Sequence, residues 1–306
     1  MIKIFGHKSP DTDSTGSPIL WAWYLTNIEA VEAMAKLTGP PNNEASFVLN
    51  YWNVKQPEII DDVDDGEEVI IVDTNNIGEL PRNIANAKIV GIIDHHLLQG
   101  GLKTNTPINI TVRPLACTAT IMLDLMGPKT VAQLPREMKG IALSCILSDT
   151  LEFRSPTTTA HDQQVAEMLA RDLNVNIPAY ANEMFAAKSD MSMFSDSELL
   201  AVDSKQFDIN GKKLKISVLE TTSPKQILDR KETLIDSMAA FTTQECVDEI
   251  LLFVVDILNE SSTLLIQNET VRSICQNSFG VFDEGDAIEL PGIVSRKKQI
   301  IPSLKV

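Results

Sequence analysis

Short uncharged apolar runs punctuate the first half of the chain, and they stop on side chains that can ligate a metal or move a proton. Residues 89–93, Ile-Val-Gly-Ile-Ile, carry no charge and end at Asp94-His95-His96. Residues 69–72, Val-Ile-Ile-Val, end at Asp73. Continuous runs of this kind predict strands buried on both faces of a parallel sheet, and such sheets bind ligands just beyond the carboxyl ends of their strands. Residues 3–5 predict a first strand, followed by a loop carrying His7, Asp11 and Asp13 and then a helix through about residue 36. Pro10 bars a helical relation between His7 and Asp11. In a loop, His-x-x-x-Asp-x-Asp wraps three ligands round a point. An N-cap role accounts for Asp13 or Ser14 alone, but not for His7.

A helix is expected near 82–87, a glycine turn at Gly100-Gly101, and a polar strand at 108–112 whose Thr and Asn content suits a sheet edge where another chain could pair. Residues 117–125 predict a helix. The helix opening at Pro135 is apolar almost all round and belongs in the core, so it carries Asp149 from the interior to a crevice, where a buried carboxylate needs a cation. Thr157-Thr158-Thr159 caps a helix over 160–173 and leaves His161 solvated. Residues 188–194 have no apolar period and read as a hinge. Beyond them the pattern changes to a helix at 195–201, a hairpin turning at Asn210-Gly211, a helix from Pro224, strands at 250–257 and 263–267, and a basic run, Arg296-Lys297-Lys298. The organisation expected is α/β with two domains, residues 1–187 and 195–306, joined by 188–194, as suits a chain of 306 residues.

Composition narrows the classes of function. A hydrophobic content of 43% with 22% charged residues is that of a soluble globular protein. The longest apolar stretch, 250–258, is broken by Asp256 and falls far short of the roughly 20 residues of a membrane span. The amino terminus reads as a strand and not as a signal peptide, so a cytoplasmic protein with no membrane partner is expected. Cys117, Cys145, Cys246 and Cys275 sit singly in apolar segments without C-x-x-C spacing, which suits reduced, buried thiols. A net charge of −16 disfavours nucleic acid. A small anion can still bind where metal and a local basic cluster reverse the field.

His7, Asp11, Asp13, Asp73, His95 and Asp149 all fall at expected carboxyl ends of core elements or in the loops after them. Four carboxylates and two imidazoles are too many for one ion. Hard oxygen donors mixed with histidine and no cysteine suit Mn²⁺, Mg²⁺ or Fe²⁺. Two ions bridged by one Asp, roughly 3.5–4 Å apart, suit displacement at phosphorus. Arg296, Lys297 and Lys205 are the cations available to hold a phosphoryl group.

The triplet Asp94-His95-His96, the loop His7-x-x-x-Asp11-x-Asp13, the strand ending on Asp73, Ser148-Asp149-Thr150 and Ser295-Arg296-Lys297-Lys298-Gln299 together resemble the family II, manganese-dependent inorganic pyrophosphatases of the DHH phosphoesterase superfamily. The resemblance covers nearly the whole chain. It implies a homodimeric hydrolase that converts pyrophosphate to two orthophosphates in a cleft between a DHH domain and a smaller, mixed-sheet DHHA2 domain. By that similarity His7, Asp11 and Asp73 bind one resting Mn²⁺ and Asp13, Asp73, His95 and Asp149 the other. His96, Lys205, Arg296 and Lys297 contact the pyrophosphate, which arrives with Mg²⁺ and is attacked in line by a metal-bridged hydroxide. Co²⁺ is implied as a substitute metal, and the 108–112 edge is the expected dimer contact. One departure stands out: the family commonly follows the bridging Asp with His-Asn, where this chain has Thr74-Asn75, a change that bears on metal preference. The inserted CBS segment of some relatives is also lacking. Rival readings are a short-chain polyphosphatase, an oligonucleotide or cyclic-dinucleotide phosphodiesterase of the same superfamily, and a catalytically silent metal-binding protein. The nuclease-like branch carries a Gly-Gly-His motif in its carboxyl-terminal domain, and this chain has no His after His161.

Overall fold

The computed structural model describes residues 1–99, 101–191 and 194–306. Gly100 of the expected glycine turn, and Ser192 and Met193 of the expected hinge, lie outside the described residues. The chain divides into two compact units, Met1–Lys188 and Ser189–Val306.

The first unit runs β1 (Ile2–Phe5), α1 (Thr12–Asn27), β2 (Ala33–Leu37), α2 (Asn43–Tyr51), β3 (Glu58–Ile59), β4 (Glu68–Val72), β5 (Lys88–Asp94), β6 (Asn109–Val112), α3 (Thr118–Gln133), α4 (Arg136–Asp149), α5 (Ala160–Leu173) and α6 (Ile177–Lys188). Its six strands form one sheet in the order β3-β2-β1-β4-β5-β6, and every pairing is parallel. Strand order reverses between β1 and β4, so the carboxyl ends of these two strands flank the switch point at which open α/β sheets bind ligands. Four of the five residues of β4 are buried, as an uncharged run covered on both faces requires. Phe5, Val69, Ile71, Ile89 and Ile92 form one apolar cluster across β1, β4 and β5.

The helix expected to reach residue 36 stops at Asn27, where Ile28 N–H and Val31 N–H bond back to Tyr24 and Leu25 and Ala30 takes a left-handed φ of 55°. Ala33–Leu37 then pairs with β1, so sheet formation overrides the helix preference of its Ala, Met, Lys and Leu. Residues 82–87 form no α-helix. Two 3₁₀ turns, Ile77–Glu79 and Ile84–Asn86, link β4 to β5. Elsewhere the capping signals act as written: Thr159 and Asp162 form a reciprocal capping box at the start of α5.

The second unit runs α7 (Asp196–Ala201), β7 (Ser204–Ile209), β8 (Lys212–Thr221), α8 (Pro224–Leu228), α9 (Lys231–Glu245), β9 (Glu249–Asp256), β10 (Ser261–Leu265), α10 (Glu269–Phe279) and β11 (Ala287–Pro291). Its sheet is mixed, in the order β11-β10-β9-β8-β7, with β8 and β9 parallel and the remaining pairs antiparallel. Asn210 and Gly211 turn the β7–β8 hairpin with φ of 54° and 81°, the left-handed pair a two-residue hairpin demands. Leu251, Phe253 and Val255 of β9 pack to one face and Ile250, Leu252 and Val254 to the other. The basic run lies in a π-helical turn, Arg296–Ile300. Cys117, Cys145 and Cys275 are buried, whereas Cys246 is exposed at the left-handed cap of α9, contrary to the expectation for all four.

Candidate metal centre

The loop after β1 is pinned to the first turn of α1 at close quarters. A Cβ on Gly6 would stand 2.0 Å from Ser14 Oγ, so only glycine fits there. The same hydroxyl accepts a bond of 2.8 Å from the His7 backbone N–H. Asp11 caps α1, its Oδ1 accepting from Ser14 N–H at 2.9 Å. Asp13, two residues further, points inward and is buried, with Ser17 Oγ donating to Oδ1 at 2.6 Å and Thr118 N–H to Oδ2 at 2.7 Å.

Asp73 follows β4 in a left-handed conformation, φ 57°, which costs a non-glycine residue energy and recurs at functional positions. It is buried, and its two oxygens face different histidines: Oδ2 lies 3.5 Å from His7 Nε2, and Oδ1 lies 3.3 Å from His95 Nε2. Thr118 Oγ1 also donates to Oδ1, at 3.1 Å. His7 Nδ1 sits 2.8 Å from Lys8 O and His95 Nδ1 sits 3.2 Å from Leu115 O. With the ring proton assigned to Nδ1 in both, these carbonyls turn each Nε2 lone pair toward the carboxylates, the orientation that ligating histidines take.

Among the described residues three sets of side chains have ligand atoms close enough to share an ion: His7, Asp11 and Asp73; Asp13, His95 and Asp149; and Asp73, His95 and His96, with all ligand atoms in each set within 4.8 Å of one another. Asp73 and His95 each belong to two sets, which makes the sites contiguous. Asp149, at the last turn of α4, has its Oδ2 sealed from solvent without a hydrogen-bond partner. An orphaned buried carboxylate oxygen beside His95 and Asp13, in an oxygen-rich set with no thiolate ligand, fits divalent cations.

The electrostatics record the same strain. Burial raises the Asp149 carboxyl far above the usual range, with the charges of Asp13 and Asp73 adding to it. Burial also lifts Asp13, to about 6. For Asp73 burial opposes ionisation, but the bonds to His7 and His95 override it and hold the carboxyl well below its ordinary value. Burial likewise works against protonating His7 and His95, and the neighbouring carboxylates reverse it, raising His7 to about 11 and His95 to about 9. His96 is half exposed, and its Nδ1 lies 2.9 Å from Asp94 Oδ1, which raises its pKa.

Asp94 itself is buried and does not enter the three ligand sets. Its Oδ1 accepts the backbone N–H groups of His95 and His96, and its Oδ2 accepts Asn75 Nδ2 at 2.5 Å. Asp94 therefore shapes the centre as a carboxylate that orients its neighbours and not as a ligand, and Thr118, which the sequence gives no reason to single out, shapes it from the start of α3. For Asp94 the Asp-His-His triplet was the signal available; for Thr118, a residue at the start of a helix, the sequence carries none. Asp11, Asp73, His95, His96, Ala116 and Asp149 line a cavity of about 530 Å³.

Lys205 lies on β7, and Arg296 and Lys297 in the π-helical turn of the second unit. The Arg296 guanidinium bonds the Asp203 backbone carbonyl and, at 2.7 Å, its Oδ1, while Lys205 and Lys297 are exposed. Ser295 and Gln299 build the turn: Gln299 Oε1 accepts from Val294 and Ser295 N–H at 2.9 Å, and Ser295 Oγ caps Lys298 N–H. His161 is turned to Asp124, 2.8 Å away, and takes no part in the ligand sets.

Residues 1–148 match the family model for the DHH family, N-terminal domain, and residues 182–306 match that for the DHHA2 domain. The probable manganese-dependent inorganic pyrophosphatase of Deinococcus radiodurans is 36% identical over 100% of this chain and 98% of its own length. The manganese-dependent inorganic pyrophosphatase of Methanocaldococcus jannaschii is 33% identical over 99% of this chain and 97% of its own. Among solved structures, the putative family II inorganic pyrophosphatase of Methanococcus jannaschii superposes with a TM-score of 0.62 at 32% identity, covering 99% of this chain and 98% of that one. An exopolyphosphatase-related protein from Bacteroides fragilis shares the fold, with a TM-score of 0.50 at 14% identity over 98% of this chain and 89% of that one.

Proposed function

The chain belongs to the manganese-dependent inorganic pyrophosphatase family, and from that premise we infer that it hydrolyses pyrophosphate to two orthophosphates with Mn²⁺ as its metal. His7, Asp11 and Asp73 would hold one ion and Asp13, Asp73, His95 and Asp149 the other, Asp73 serving both. Two such ions would lower the pKa of a bound water and neutralise negative charge on the phosphoryl oxygens, making phosphorus more electrophilic. The observation that carries this reading is Asp73, whose two oxygens each face a different histidine, together with the unpartnered Asp149 Oδ2.

The remaining chemistry falls to the chain's own groups. His96, engaged through Nδ1 by Asp94, has Nε2 left to donate to a phosphate oxygen, and the raised pKa favours the protonated ring that such a donor requires. Lys205, Arg296 and Lys297 neutralise the pyrophosphate charge, with Arg296 able to take two oxygens through its planar fork. Mg²⁺ accompanies the substrate, and Co²⁺ can replace Mn²⁺. Thr74, where the family commonly has His, gives its hydroxyl to Glu79 at 2.6 Å and offers no ring nitrogen beside Asp73.

The protein works in the cytoplasm as a homodimer, with neither nucleic acid nor membrane as partner. The half-exposed edge strand β6, bearing the exposed Ile110, supports pairing with a second copy. The net charge of −16 supports the exclusion of nucleic acid. Among the described residues no helix is long and apolar enough to cross a membrane.

Phosphate release from pyrophosphate by chelator-stripped protein in Mg²⁺ buffer, before and after adding two equivalents of Mn²⁺, tests the reading. A large gain on Mn²⁺ is expected, with pyrophosphate preferred over tripolyphosphate. Faster release from tripolyphosphate would make the protein a polyphosphatase at the same metals.

A further inference from the structure

Glu44, on the first turn of α2, is fully buried, yet it belongs to none of the three ligand sets. Its Oε1 accepts two hydroxyl bonds, one from Thr12 Oγ1 at 2.5 Å and one from Ser148 Oγ. Thr12 lies between the N-cap Asp11 and Asp13 on α1, and Ser148 immediately precedes Asp149 on α4, so both anchors adjoin a ligand of the Asp13, His95 and Asp149 set and only Thr12 adjoins one of the other. Both hydroxyls are themselves buried. One carboxylate oxygen thus joins the two helices at the residues next to the two acids of the Asp13, His95 and Asp149 set. The second oxygen, Oε2, has no hydrogen-bond partner, and Lys188 Nζ stands 3.7 Å from it.

Burying a carboxylate is costly, and for the stability of three packed helices an apolar residue of similar size serves as well or better. A rigid acceptor that sets the spacing of two ligand-bearing helices is a different matter, because an ion site weakens when its supporting hydrogen bonds are removed. We propose that Glu44 is a positioning residue for the Asp13, His95 and Asp149 ion site: through Thr12 and Ser148 it fixes α1 against α4 so that Asp13 and Asp149 meet one ion. The inference rests on the reading that these three side chains hold an ion. It goes beyond that reading by assigning selective control of one of the two sites to a residue that touches neither ion nor substrate. Because Oε1 does the work, glutamine, which keeps that acceptor, should substitute for glutamate far better than alanine does.

The test is Mn²⁺ titration calorimetry of chelator-stripped full-length protein, wild type against Glu44→Gln, Glu44→Ala, Thr12→Val and Ser148→Ala, with circular dichroism and thermal unfolding to establish that each variant is folded. In the wild type two ions should bind. In Glu44→Ala one of the two sites should weaken by about 10–100-fold while the other stays within a few-fold, and Glu44→Gln should stay close to wild type. Ser148→Ala and Thr12→Val, which leave the carboxylate in place, should each weaken the same site by a smaller factor. Equal weakening of both sites, or no weakening in folded Glu44→Ala and Ser148→Ala, would overturn the proposal. Fewer than two ions in the wild type would instead overturn the two-ion reading beneath it.

Discussion

His95 Nε2 lies 3.3 Å from Asp73 Oδ1, joining the ends of two strands adjacent in the sheet, β4 and β5. The other oxygen of Asp73 faces His7, beyond the end of β1. A residue so placed at the switch point of the sheet is the one side chain common to both proposed ion sites. Asp73→Ala should therefore lose at least one of two bound Mn²⁺ ions and nearly all phosphate release. A variant that retains two ions by elemental analysis and turns over pyrophosphate would remove Asp73 from the bridging role.

Arg296 illustrates the opposite separation. Its guanidinium is held by Asp203, a residue of its own unit, and as a cation it cannot ligate a metal ion. Arg296→Ala should leave Mn²⁺ affinity and stoichiometry near wild type while turnover falls by about 100-fold or more, the loss expected when developing charge is deprived of one fixed donor. Parallel losses of metal and turnover would place Arg296 in the wrong role. Lysine at this position should recover only part of the rate, because a single ammonium lacks the planar fork.

Much of the architecture was legible because local and tertiary preferences agree. Residues 69–72 are all β-branched and residues 89–93 are uncharged and β-branched apart from Gly91, and they form the adjacent strands β4 and β5 of a parallel sheet. Asn210-Gly211 and Thr159 mark their turn and cap by chemistry that acts within a few residues. Ala33–Leu37 reads as helix from its side chains, and only the pairing with β1, remote in sequence, makes it a strand. At the metal centre the legible residues are those at strand and helix ends. Asp94 is legible through the Asp-His-His triplet, although as a carboxylate that orients His95 and His96 locally and not as a ligand; Thr118 and Glu44 are not legible as site residues, since each acts through a contact created by folding: Thr118 on Asp13 and Asp73, Glu44 on Thr12 and Ser148.

The closeness of α1 to α4 supplies a stability prediction. A Cβ on Gly16 would lie 2.4 Å from Cys145 Sγ and 2.8 Å from Ile141 Cγ2, so alanine cannot enter without displacing these buried side chains or the helix that carries them. Gly16→Ala should destabilise the protein by about 1–3 kcal/mol, the usual cost of overpacking a filled core, despite alanine's better helix propensity. Because the same two helices carry Asp13 and Asp149, Mn²⁺ affinity should fall with it. Urea unfolding checks the first effect and calorimetry the second. In a double-mutant cycle Cys145→Ala should relieve part of the cost, and strict additivity would show that the Gly16–Cys145 contact is not its source.

The direction of the pKa shifts ties metal binding to pH. Without metal, His7 and His95 are raised from 6.5 to about 11 and about 9, and Asp13 from 3.8 to about 6. A raised pKa means that folding favours the protonated form. The two histidines thus contribute stability to the metal-free protein that is fully present below pH 6.5 and lost as pH climbs through 9 to 11; Asp13 contributes likewise below 3.8, with loss through about 6. Ligation requires the opposite, neutral imidazoles and ionised carboxylates. Mn²⁺ binding near pH 7 should accordingly release protons, so that calorimetric heats change with the ionisation enthalpy of the buffer, and affinity should rise from pH 6 to 9. Thermal unfolding should show the gap between metal-loaded and metal-free protein widening over the same interval. Affinity independent of pH, with heats identical in all buffers, would mean that His7 and His95 do not surrender protons to the metal and are not its ligands.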